Sequence, residues 1–150
     1  MEQRIKMYEK GQNAMKSLQT TTAYLRKSPL EVGLRELVDF RVSQINGCAY
    51  CLDMHSKDAR HHGETEQRLY GLSAWREAPY YTERERAALA WAEAVTACRV
   101  PDDIYNEAKA QFSDEELIDL TMGVTAINTW NRLNLAFPNE PGTYRVGMFG

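Results

Sequence analysis

Apolar residues recur at helical spacing along nearly the whole chain. In residues 12–28, Ala14, Leu18, Thr22 and Leu25 fall near one face, and Pro29 ends or redirects the run. In residues 31–46, Leu34, Leu37, Val38, Arg41 and Ile45 mark one face while Val32, Glu36 and Phe40 share another. A helix apolar on two sides is expected to be buried on both. Gly47 separates it from a third helix, about 49–62, which Gly63 stops. A fourth covers roughly 64–77, with Leu69, Leu72 and Trp75 on its apolar side and Pro79 behind it.

Two capping boxes punctuate the second half. Thr82-Glu-Arg-Glu85 opens a helix to about Ala97, with Leu89, Trp91, Ala92 and Val95 as core candidates, and Ser113-Asp-Glu-Glu116 opens the longest, to about Leu135. Between them Pro101 starts a short helix to about Phe112. Residues 138–150 hold two prolines and three glycines and read as an irregular tail. No segment alternates β-branched and polar residues between turns. The expected fold is all-α, a bundle of six to seven helices in a single domain with its core over residues 25–135.

Eighteen basic against twenty-one acidic residues, with no clustered Lys/Arg stripe, offer no footprint for nucleic acid or an anionic membrane. Apolar runs fall far short of the ~20 residues of a membrane span. Met1-Glu-Gln-Arg-Ile-Lys has charge but no apolar stretch behind it, so it does not read as a signal peptide. Cytoplasm is the expected location, and three cysteines are too few for a secreted disulfide scaffold.

The chemistry concentrates in residues 36–55. Cys48 and Cys51 are separated by two residues, His55 follows Cys51 by four, and Glu36 precedes Cys48 by twelve. Cys51 and His55 share a helix face, so His55 can take or return the Cys51 proton. Cys48 falls at the start of its helix, where free N–H groups and the dipole favour a thiolate. Glu36, set among Val32, Leu37 and Phe40, is an unusual place for a charge without a partner, and it could orient His55 as the acid of a triad does. Thiolate, base, orienting acid and a second thiol form a peroxide-reducing constellation: sulfenic acid first, then a disulfide.

Other chemistries fit less well. Zinc would draw on Cys48, Cys51, His55 and His61 or His62, but Cys48 and His61 would lie roughly 20 Å apart along one helix. Covalent haem needs His directly after the second cysteine, where Leu52 stands. No metal and no cofactor is expected. His61 and His62 read as solvent-facing complements to the helix dipole, Cys98 as a small buried side chain, and Trp75, Trp91 and Trp130 as core. A weak internal echo relates Glu36-Leu-Val-Asp-Phe to Glu116-Leu-Ile-Asp-Leu at a shift of eighty, which sets Cys48 on Asn128 and Cys51 on Asn131.

Glu36, Cys48-Ala-Tyr-Cys51 and His55, together with Glu83-Arg-Glu-Arg-Ala-Ala-Leu-Ala-Trp, resemble the alkylhydroperoxidase D-like proteins of the carboxymuconolactone decarboxylase superfamily. The resemblance covers roughly residues 25–110 and implies a helical homo-oligomer, a trimer or hexamer. It assigns Cys51 as the peroxidatic thiol, Cys48 as the resolving thiol that meets the external reductant, and His55 and Glu36 as a proton relay. The helix-terminus argument alone favours Cys48 as the more acidic thiol; the position of His55 one turn from Cys51 favours the family's order. Tyr50 stands where the best-known member has a histidine. The implied activity is a thiol peroxidase for alkyl hydroperoxides or hydrogen peroxide, served by a dithiol, thioredoxin-like or lipoyl-type reductant. The alternatives are a dithiol–disulfide oxidoreductase and a redox-sensing helical oligomer.

Overall fold

A computed structural model describes residues 4–150, so the first three residues of the N-terminal stretch lie outside it. Among the described residues there are eight α-helices and no strand: α1 (Met7–Lys10), α2 (Gln12–Arg26), α3 (Val32–Asn46), α4 (Ala49–His61), α5 (Glu66–Gly71), α6 (Glu83–Thr96), α7 (Asp102–Gln111) and α8 (Asp114–Ala136). The protein is all-α, and the single-turn α1 is the helix that the periodicity did not announce. None of these helices is long and apolar enough to cross a membrane.

α3 is the central element, packed between α4, α6 and α8. Its Leu34, Val38 and Val42 meet Ala88 and Ala92 of α6 and Leu120, Val124 and Ile127 of α8. Its Leu37 joins a second cluster with Ala59, Leu69, Leu72, Trp75 and Leu89. Burial on two sides is therefore correct for α3, but the faces shift: Val32 and Ile45 are exposed and Val42 is fully buried. On α2 the buried residues are Met15 and Leu25, and Ala14 faces out.

Both capping boxes close as expected. Thr82 and Ser113 each accept the N–H three residues on, and Glu85 and Glu116 each accept the cap N–H in return. The helix expected over 64–77 is shorter: α5 stops at Gly71, where the Tyr80 ring lies against the backbone, and a single 3-10 turn, Leu72–Ala74, follows. Arg86 replaces the missing helical donors, giving hydrogen bonds to the carbonyls of Trp75, Ala78 and Arg76 at 3.0, 3.2 and 2.8 Å.

Cys98 departs from expectation. It is exposed, and it takes the left-handed conformation (φ 56°) that ends α6. Its N–H reaches Val95 O and the Arg99 N–H reaches Ala94 O, the pairing in which glycine is the usual left-handed residue. The demands of the helix end, not side-chain burial, set its position. Trp75 and Trp91 are core, whereas Trp130 is partly buried.

Candidate functional site

Gly47 and Cys48 form the corner on which the site is built. Gly47 adopts φ 69°, its N–H bonds Gln44 O at 3.3 Å and the Cys48 N–H bonds Ser43 O at 3.1 Å, which closes α3 and reverses the chain. Cys48 then caps α4, its sulfur accepting the Cys51 N–H at 3.3 Å. The two sulfurs are joined as a disulfide with the Cα atoms 5.3 Å apart. Both are buried, at 1% and 3% exposure, so neither sulfur is open to bulk solvent. Tyr50 and Tyr144 pack over them, with Met54 beside.

α3 and α4 bring the other predicted residues together. His55 Nδ1 lies 2.9 Å from Glu36 Oε2 and 3.8 Å from Asp39 Oδ2, with all three side chains mostly covered. Burial by itself would lower the His55 pKa, but Asp39 and Glu36 outweigh it and raise it from 6.5 to about 9, so the ring is an imidazolium at neutral pH. Burial pushes the Asp39 carboxyl well above its usual range, Glu36 and Asp58 adding to this while His55 and Arg35 oppose it. With Nδ1 committed to Glu36, Nε2 is the ring nitrogen available for exchange.

Three participants carried no recognised signal in the sequence. Asp39 sits three residues after Glu36 and Asp58 three after His55, spacings that put each pair on one helix face. Tyr144 comes from the tail, and its hydroxyl donates to both Asp58 oxygens at 2.8 and 2.9 Å. Burial pushes the Asp58 carboxyl up, while the Tyr144 hydrogen bond acts against this. Burial and the Asp58 bond raise the Tyr144 phenol, which keeps it neutral. His61 and His62 are exposed at the end of α4, as expected.

Among the described residues, Glu36, Asp39 and His55 are the group whose ligand atoms, all within 4.8 Å of one another, could hold an ion. Neither cysteine belongs to it, which fits proton sharing as readily as a metal. Cys51, His55, Glu36, Asp39 and Asp58 all border a chamber of about 960 Å³, whose other walls come mainly from α2, α8 and the tail, with Tyr8 of α1. Cys51 borders it, and Cys48 is not among the residues that do.

The model of the carboxymuconolactone decarboxylase family matches residues 10–94. The chain belongs to that family. It is 42% identical to the uncharacterized protein YdfG of Bacillus subtilis over 143 residues, covering 93% of this chain and 97% of that one. Among solved structures, a protein of unknown function from Agrobacterium tumefaciens, itself assigned to antioxidant defence as an AhpD protein, is 42% identical with a TM-score of 0.90, over 95% of this chain and 100% of that one. The fold of this family member also matches apo debrominase Bmp8, with a TM-score of 0.78 at 20% identity over 89% of this chain and 74% of that one. The carboxymuconolactone decarboxylase fold thus carries more than one chemistry, and the dithiol site of this chain is the better guide to its own.

Proposed function

We propose that the protein is a thiol peroxidase in which Cys51 attacks the peroxide, Cys48 resolves the product, and His55 with Glu36 moves the protons. The observation that carries the reading is the placement of Cys51, and not Cys48, on the chamber that also holds the His55–Glu36 pair.

In the reduced protein both sulfurs lie at the N-terminus of α4, where the helix dipole favours a thiolate. An imidazolium one turn from Cys51 favours it further. The Cys51 thiolate attacks the O–O bond of a hydroperoxide; the S–O bond forms, the O–O bond breaks, and the departing alkoxide takes the His55 proton to leave as an alcohol. His55 regains its proton from the Cys51 thiol once reduction has restored it, while Glu36 and Asp39 hold the ring in place and stabilise the imidazolium. The Cys48 thiol then attacks the Cys51 sulfenic acid, forming the disulfide and releasing water. An external dithiol supplies two electrons and two protons to restore both thiols.

The protein reduced with excess dithiol is assayed for loss of cumene hydroperoxide, wild type beside Cys51→Ser, Cys48→Ser and His55→Ala. Catalytic consumption that vanishes in Cys51→Ser, a sulfenic acid trapped by dimedone in Cys48→Ser, and a rate about 10²-fold lower in His55→Ala are the expected results. A Cys51→Ser variant that consumes peroxide as fast as wild type removes the reading.

A further inference from the structure

A thiolate and an imidazolium need little room to reduce hydrogen peroxide, yet Cys51 borders a chamber of about 960 Å³. That is the upper end of the ~300–1,000 Å³ usual for small-molecule sites. The wall that α3 and α4 do not supply is partly irregular chain. Gly142 N–H donates to Asp53 Oδ2 at 3.1 Å, Lys57 Nζ donates to Tyr144 O at 3.0 Å, and the Tyr144 hydroxyl holds Asp58. Past this anchor, Val146 to Gly150 line the chamber and carry no charged side chain.

Phe149 is the largest of these side chains. Its ring stacks on Tyr8 with centroids 5.8 Å apart at 19°, and on Tyr144 at 6.0 Å and 20°. Arg26 Nη1 bonds its carbonyl at 3.3 Å. The row of three rings joins the N-terminal helix, the tail and, through Asp58, the helix that carries Cys51 and His55. Tyr8, Tyr144 and Phe149 all border the chamber, so this row of stacked rings forms an aromatic stretch of the same cavity that Cys51 borders.

We propose that Phe149, held between Tyr8 and Tyr144, is the specificity-determining residue of the chamber: its ring receives the bulky apolar body of a hydroperoxide whose O–O group lies at Cys51. The hydroperoxide part of this inference rests on the peroxidase reading; the recognition of an apolar ring or branched alkyl body by Phe149 does not. A Phe149 side chain 38% exposed is replaceable without opening the core, and Phe149→Leu keeps apolar bulk while removing the ring stack.

Two measurements on the full chain separate the parts. Calorimetric titration of the oxidised protein with 2-phenyl-2-propanol, the alcohol left by cumene hydroperoxide, reads binding without turnover. Phe149→Ala weakens it about tenfold, and Phe149→Leu restores part of the loss. In turnover with excess dithiol, the ratio of kcat/KM for cumene hydroperoxide to that for hydrogen peroxide falls about tenfold in Phe149→Ala, mainly through KM. Equal binding by wild type and Phe149→Ala, no binding by wild type, or an equal loss for both peroxides overturns the inference. Phe149-dependent binding of the alcohol with no turnover of either peroxide supports the aromatic wall and removes the peroxidase reading instead.

Discussion

Asn131 Nδ2 donates to Ser43 Oγ at 3.0 Å, and both side chains are fully buried. Ser43 Oγ donates in turn to Asp39 O at 2.7 Å, Ser43 O receives the Cys48 N–H at 3.1 Å, and Asn131 Oδ1 accepts from Asn46 Nδ2 at 3.0 Å. One amide of α8 therefore fixes the stretch of α3 from which Asp39 and Cys48 hang. Asn131 is the position that the internal echo aligns with Cys51, so that part of α8 carries buried polar support where the first half carries a thiol.

Replacing Asn131 by Ala takes one hydrogen bond from the buried Ser43 hydroxyl, which keeps its bond to Asp39 O, and one from the part-buried Asn46 amide, which keeps its bond to Asn128 Oδ1. It also leaves a small void beside them. The expected cost is about 2 kcal/mol, or a fall of roughly 4–8 °C in Tm. Thermal unfolding of the oxidised variant measures it, and an unchanged Tm would show that the two groups find other partners.

His55 links stability to pH. Its folded pKa is raised from 6.5 to about 9, so its contribution is complete below pH 6.5 and is lost as pH rises through about 9. The raised Asp39 carboxyl acts in the same sense, favouring the folded state more at acid pH. Oxidised protein is therefore expected to melt at a lower temperature at pH 9 than at pH 6, with a smaller difference in His55→Gln. A melting profile that slopes equally in wild type and variant would detach His55 from the effect.

Gly47→Ala places a side chain at φ 69° in the turn that presents Cys48. The left-handed strain is expected to destabilise the protein by about 1–2 kcal/mol. Denaturant unfolding reads this directly, and a midpoint equal to wild type would mean the corner accepts a side chain freely.

Cys98 is exposed while Cys48 and Cys51 are buried in a disulfide. Oxidised native protein is expected to show one thiol per chain reactive toward a chromogenic disulfide, absent in Cys98→Ser. Peroxide turnover in that variant should remain near wild type. A second reactive thiol in the native oxidised protein would contradict the closed pair.

The helices, both capping boxes and the cysteine pair were legible because each is a short-range pattern: apolar residues at helical spacing, an acid three residues after a cap, two thiols within one turn. Glu36 was legible as an odd carboxylate on an apolar face, and the structure supplies His55 as its partner. Val32 and Ile45 were placed wrongly, since periodicity shows that a helix has faces but not which neighbours cover them. The helix that spacing alone extended to residue 77 stops at Gly71 and passes into the 3-10 turn Leu72–Ala74, a change of winding that apolar spacing does not register.

The sequence by itself determined an all-α chain with a dithiol and a histidine at the start of one helix, because backbone hydrogen bonding and one-turn spacing are local. Tertiary structure alone decided that Asp39 and Asp58 surround His55, that Cys51 rather than Cys48 borders the chamber, and that Tyr144 and Phe149 of an irregular tail form its wall. Those relationships join residues far apart in the chain, as Tyr144 and Asp58 are across 86 positions and Phe149 and Arg26 across 123. No periodicity encodes such a meeting; it comes from the way α3, α4, α8 and the tail border one cavity.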